Sequence, residues 1–238
     1  MSESESASGS DSASGSETTS GNDASWTDEA RALADEVREL VETLSTREIE
    51  PEALREAARA VRHARERISG APRARWYDDP LSAFDSPVSR RAYLELSPIR
   101  GRLNPVAPPI EVEFGERPDG ERIVRGRARL GVRYEGPPHG VHGGWVAALF
   151  DEVLGQAQAL SGGPGVTAVL NVKYRHVTPI EEDLVFEGWV HESRGRRVIA
   201  RATCHAGDTL TADAEGIFMR VDFGEVQERM RQRRESRD

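Results

Sequence analysis

The chain has 238 residues, 31% charged and 37% hydrophobic, with 41 Asp and Glu against 32 Lys and Arg and a formal net charge of -9. A net acidic chain gives no electrostatic reason for nucleic acid or an anionic membrane as its main partner. No run of about 18 apolar residues occurs, so no spanning helix is expected, and the single cysteine, Cys204, excludes a disulfide framework or multi-cysteine metal site.

Residues 1–25 hold five acids, ten serines and no base. So polar a segment cannot bury enough apolar surface to offset its ordering entropy, and it is expected to be a disordered acidic tail. It has neither the basic start nor the apolar stretch of a secretory signal, which leads to a cytoplasmic expectation.

Over residues 26–70 the pattern predicts an amphipathic helical hairpin. Leu33, Val37, Leu40, Val41 and Leu44 follow one helix face, with a break near Ser45 and Thr46. Pro51 suits the first turn of a second helix carrying Leu54, Ala57, Ala58, Val61 and Ala64, which stops at Gly70 and Pro72. The apolar stripe is expected to pack on the main domain or on a second subunit. Residues 71–104, rich in proline, read as a connector, and 224–238 as a charged C-terminal tail.

Residues 105–223 form the main domain. Alternating segments at 110–114 and 123–132 flank the turn signal Arg117-Pro-Asp-Gly120, and alternation returns at 166–177, 184–191, 197–205 and 210–221. The tight turns Ser193-Arg-Gly195 and Ala206-Gly-Asp208 require antiparallel neighbours. Between the two groups lies a helix with the apolar stripe Val146, Leu149, Phe150, Val153, Leu154, Ala157 and Leu160, which must face the sheet. Gly144, Ala148, Asp151 and Gly155 form a stripe of small residues on the other side. The predicted class is α+β, an antiparallel sheet wrapped around a central helix.

The chemistry concentrates in His142-Gly143-Gly144-Trp145-Val146-Ala147-Ala148-Leu149-Phe150-Asp151. A glycine-rich helix start presents unpaired N–H groups to a carbonyl oxygen, and an acid two turns on could activate water or attack that carbonyl. An ordinary loop-to-helix junction with a surface Asp is the competing interpretation. The strand after the helix is read with Thr167, Val169, Asn171, Lys173 and Arg175 on one face and Ala168, Leu170, Val172 and Tyr174 on the other. Trp145 and Phe150 could line an acyl pocket or belong to the core. His139 reads as a solvated loop histidine and Cys204 as a buried inert thiol. There is no G-x-S-x-G elbow and no H-E-x-x-H spacing.

The run Glu-Gly-Pro-Pro-His-Gly-Val-His-Gly-Gly followed by Asp at 135–151, continued by Thr167-Ala-Val-Leu-Asn-Val-Lys-Tyr-Arg175 and Pro179, resembles the hotdog-fold acyl-CoA thioesterases of the phenylacetate-pathway type and the thioesterase-superfamily-member group. The resemblance spans roughly residues 105–222 and leaves residues 1–70 without a family role. It implies a hotdog fold, an acyl-CoA substrate, no metal or redox cofactor, and a homodimer or homotetramer with sites at the subunit boundary. It implies Asp151 as base or nucleophile, the Gly143 N–H as oxyanion donor, Thr167 as a hydroxyl that positions water or substrate, and His142 and Gly144 shaping the turn that meets the substrate. Some members carry Asn or Gln where this chain has Gly136. Lys173, Arg175, Arg196 and Arg197 could meet coenzyme A phosphates or belong to a solvated face. The alternatives are a non-catalytic acyl-CoA-binding or interaction module on the same scaffold, or a hotdog hydratase, for which no His–acid pair at suitable spacing is evident.

Overall fold

The computed structural model describes residues 19–71, 94–222 and 232. The tail over 1–18, the connector over 72–93 and the C-terminal tail apart from Gln232 and its short approach at 222 lie outside the described residues.

Helix α1 spans Thr19–Thr46 and α2 spans Pro51–Arg67. Pro51 occupies the first turn of α2, where its missing N–H would have had no helical partner. Helix α1 begins inside the segment expected to be tail, seven residues ahead of Trp26. Once a helix is nucleated, each added residue gains a hydrogen bond, so a polar run can extend it without an apolar face of its own.

Of the two expected places for the apolar stripe of α1, the main domain or a second subunit, the first is not where it lies. Leu33, Val37, Val41 and Leu44 are exposed, Leu44 by 52%. The side that docks is polar: Arg31 pairs with Glu95 at 2.6 Å, and Arg38 Nη2 donates to the carbonyls of Gly101, Arg102 and Asn104. Arg133 donates to the Arg38 carbonyl and pairs with Glu42 at 3.5 Å, while the small side chain of Ala34 is buried between these contacts. Four hydrogen bonds from Arg38 and Arg133 to carbonyls hold this side, whereas the apolar stripe meets no complementary surface among the described residues.

The sheet consists of β1 (Ile110–Glu116), β2 (Arg122–Arg129), β3 (Gly165–Tyr174), β4 (Asp183–Arg194), β5 (Arg197–Ala206) and β6 (Thr209–Arg220). Its order is β1-β2-β4-β5-β6-β3, with every neighbouring pair antiparallel. The tight turns fall where glycine supplies a left-handed residue, at Gly120 (φ 87°), Gly195 (φ 53°) and Gly207 (φ 54°). The predicted strand over 123–132 stops at Arg129, and Val132–Tyr134 makes one 3-10 turn.

Helix α3 spans Gly143–Ala159 and lies in the hollow of the sheet, touching β2 to β6. Val146, Leu149, Phe150, Val153, Leu154 and Ala157 are buried there, as their spacing requires. The approach is close enough that a Cβ on Gly188 would come within 2.9 Å of Val153 Cγ1. Phe150 packs edge-on to Phe186 at 5.1 Å, so it is core and not pocket lining. The result is the hotdog arrangement, an antiparallel sheet wrapped around one helix.

Candidate active site

The N-terminus of α3 is built by an unusual division of its donors. His142 is the N-cap, and its Nδ1 accepts from the Gly144 N–H at 3.0 Å. The Trp145 and Val146 N–H groups both donate to the His142 carbonyl, at 2.9 and 3.3 Å. Of the first four N–H groups of the helix, the Gly143 N–H alone has no acceptor among the described residues. An orphan donor at the positive end of a helix is suited to an oxygen that gains negative charge.

The surroundings of Gly143 are held on both sides. The Tyr174 hydroxyl donates to the Gly143 carbonyl at 2.8 Å, while the N–H of that same peptide unit is held by His142. On the other flank, His142 N–H donates to the Tyr134 carbonyl at 2.8 Å and Val141 N–H to the Thr178 carbonyl at 2.7 Å. Because Nδ1 accepts, the neutral imidazole carries its proton on Nε2. Trp145 packs edge-on to Tyr134 at 5.2 Å and serves as a wall of this junction.

Gly143, Gly144 and Tyr174 line a cleft of about 690 Å³ together with Pro137, Val141, Val146, His176 and Val177. Its walls are mainly apolar, and Gly143, whose N–H is unpaired among the described residues, is part of its lining. Gly136 has a steric reason: a Cβ there would stand 2.7 Å from His142 Cα, so this turn has no room for the Asn or Gln side chain found in some hotdog thioesterases.

Asp151 sits on the partly exposed small-residue stripe, and its Oδ1 accepts from the Thr167 hydroxyl at 2.8 Å. Its other oxygen has no partner among the described residues. Thr167 reaches it because β3 carries a bulge: Thr167 pairs with Phe218, whereas Val169 pairs with Ile217. The extra residue, Ala168, shifts the alternation, so Thr167 shares the helix side with Leu170, Val172 and Tyr174 and not the face of Val169, Asn171 and Lys173. That corrects the face assignment drawn from simple alternation.

Gly143 and Asp151 are separate within one chain. They lie eight residues apart on one helix, about 12 Å along its axis at about 1.5 Å per residue. The carboxylate of a chain therefore stands about two turns of helix from its own Gly143 N–H.

The remaining sequence candidates sort by their contacts. Arg175 pairs with Asp213, which raises its pKa further, and the Arg196 Nε donates to the Arg220 carbonyl. Lys173 is exposed on the outer face of the sheet. His139 is an exposed turn residue at φ 61°. Cys204 is fully buried, and burial pushes its thiol up to about 11. Among the described residues no group of three His, Cys, Asp or Glu side chains could hold a metal ion, and no helix is long and apolar enough to cross a membrane. The residue that sequence reasoning missed is Tyr174; its position, seven after Thr167, carried no signal of a contact with Gly143.

Residues 139–213 match the family model of the thioesterase superfamily. The chain is 27% identical over 97 residues to acyl-coenzyme A thioesterase THEM5 of Homo sapiens, covering 40% of this chain and 39% of that protein. It is 31% identical over 94 residues to acyl-coenzyme A thioesterase THEM4 of Mus musculus, covering 39% and 40% respectively. The matched segment thus spans about two fifths of the length of these relatives. A crystal structure of a thioesterase superfamily protein superposes with a TM-score of 0.62 at 26% identity, covering 80% of this chain and 94% of that one. That coverage exceeds the share taken by the hotdog domain, so the structural likeness extends into the N-terminal half.

Proposed function

We propose that this protein hydrolyses the thioester of an acyl-CoA to the free acid and coenzyme A. The observation that carries the reading is the Gly143 N–H, unpaired among the described residues, beside a peptide unit held by Tyr174 and His142 and in a residue that lines a mainly apolar cleft. The thioester carbonyl oxygen accepts from this N–H and from the field of the helix end, which stabilises the negative charge that develops on attack. The Asp151 carboxylate takes a proton from water as the water oxygen bonds to the carbonyl carbon, or it attacks that carbon itself. Collapse of the tetrahedral intermediate breaks the carbon–sulfur bond and releases coenzyme A as a thiolate, which is then protonated. Thr167 holds one oxygen of the carboxylate and leaves the other free to act.

The separation of about 12 Å along α3 makes a second copy part of this reading. Strand β3 is at the edge of the sheet, with Thr167 and Asp151 near its start and Tyr174 and Gly143 near its end. Two copies pairing β3 antiparallel about a two-fold axis would set the Asp151 of one against the Gly143 of the other. The exposed Val166 and Val169 and the glycines of the small-residue stripe suit such a close approach. A homodimer, alone or doubled into a tetramer, is therefore the proposed working unit.

The phenylacetate-pathway type is proposed as the subtype on the strength of the 135–151 run. The test is free-thiol release from short, medium, long and aromatic acyl-CoA esters by the wild type and Asp151→Asn. Hydrolysis that disappears in the variant supports the thioesterase, and preference for an aromatic ester supports the subtype. A folded wild type that cleaves none of the esters while binding them saturably would overturn the reading in favour of a binding module.

A further inference from the structure

The N-terminal helices present apolar faces that the other described residues leave uncovered. On α1 the seam Leu33, Val37, Leu40 and Leu44 recurs at intervals of four, three and four residues, exposed at Leu33, Val37 and Leu44 and half-buried at Leu40, while the polar side of the helix docks on the main domain. On α2 the seam Leu54, Ala57, Val61 and Ala64 recurs at three, four and three, with Ile68 just past the helix end, and no residue of this helix is buried. Half of the Val61 surface and 63% of the Ile68 surface is open. These are heptad-like seams of similar length on their helices, one rich in large side chains and the other alternating large residues with alanine, which suits knobs packing into holes.

Their charges are complementary. Helix α1 carries seven acids and two arginines, whereas α2 carries five arginines and three acids. Glu36 and Glu39 beside the α1 seam, and Arg62, Arg65 and Arg67 on α2, have no ion-pair partner among the described residues. Yet α2 makes no hydrogen bond or ion pair with the α1 of its own chain among the described residues, and residues 47–50 join them with Glu50 in an extended conformation. Like faces on two copies would repel, while α1 against α2 joins acid to base.

We propose that α2 is an exchange arm: the α2 of one copy seats on the α1 seam of a second copy, and the reciprocal contact covers both seams at once. A two-fold pair satisfies every exposed face symmetrically, which is the geometry of a swapped element. The docked polar side of α1 fixes the seam relative to the main domain, so the exchange ties the N-terminal segments into the assembly. This inference is independent of the thioesterase reading, since it uses no residue of the cleft.

The test mixes two full-length variants, Val41→Cys and Val61→Cys, allows subunits to exchange, and treats them with a short bis-maleimide. Both positions are exposed and the native Cys204 is buried, so only the introduced thiols react. A covalent dimer containing one chain of each kind, absent when Arg59→Cys replaces Val61→Cys, is the expected result. The double variant Val41→Cys/Val61→Cys is the counterpart. If it cross-links within single chains and the mixture yields no mixed dimer, α2 closes on its own α1 and the exchange is overturned. Absence of any cross-link overturns it as well. Thiol release by the same preparations is a separate reading, so failure of the arm and failure of the catalytic proposal are told apart.

Discussion

The Tyr174 hydroxyl donates to the Gly143 carbonyl at 2.8 Å, tying the end of the edge strand to the first residue of the central helix. The same peptide unit is held from its N–H by His142, so its plane is fixed from both ends. The neighbouring Gly143 N–H is thereby aimed without itself being used.

Removing that hydroxyl tests the aim. Tyr174→Phe deletes one hydrogen bond at an exposed site, where water takes its place and Tm moves little; a loss of about 1 kcal/mol in positioning the transition state should lower kcat about fivefold with little change in KM. Steady-state kinetics alongside thermal unfolding check it; an equal loss of stability would mean that the bond serves only the fold.

Adding a methyl at Gly143 attacks the same point sterically. A Cβ there would lie 3.3 Å from Tyr174 Cζ and the Tyr174 hydroxyl, so Gly143→Ala pushes strand and helix start apart by a few tenths of an ångström. Turnover should fall by more than in Tyr174→Phe, because the donor itself moves, while far-ultraviolet circular dichroism stays unchanged.

At the other pole, Asp151→Asn should reduce turnover at least about a hundredfold, the range for loss of a general base. Thr167→Ala should cost less, about tenfold, and Thr167→Ser should recover most of it by restoring the donor to Asp151 Oδ1. Full activity in Thr167→Ala would show the hydroxyl to be structural only.

Core substitutions report on the packing of α3 and not on chemistry. Leu154 is fully buried, and Leu154→Ala should destabilise the fold by about 2–5 kcal/mol. Gly188→Ala, forced against Val153 at 2.9 Å, should also lower the denaturant midpoint.

Cys204 gives a pH signature. Burial raises its thiol from 9.0 to about 11, so the folded chain holds this proton after the unfolded chain has lost it. Below pH 9 the thiol is protonated in both states and the difference is fully in place; between pH 9 and 11 stability should fall by about 1.4 kcal/mol per unit relative to Cys204→Ala. Parallel slopes for the two proteins would contradict this burial effect. Alkylation of Cys204 in the folded protein at neutral pH should be correspondingly slow.

What the sequence determined by itself is what local spacing encodes. Pro51 and the glycines at 120, 195 and 207 punctuate the helices and turns, and the apolar period of 146–157 sets which side of α3 is buried. The His142-Gly143-Gly144 run marked the helix start as the candidate oxyanion site, since unpaired donors at a helix start follow from backbone geometry alone. Tertiary structure decided the rest. A one-residue bulge turned Thr167 toward Asp151, because a period of two reverses every face after a single slip. Tyr174 found Gly143 and the polar side of α1 found the main domain through contacts distant in sequence, which no local periodicity records. The separation of Gly143 from Asp151 along one helix was implicit in the spacing, whereas the edge position of β3, which the proposed second copy would use, comes from the strand order alone.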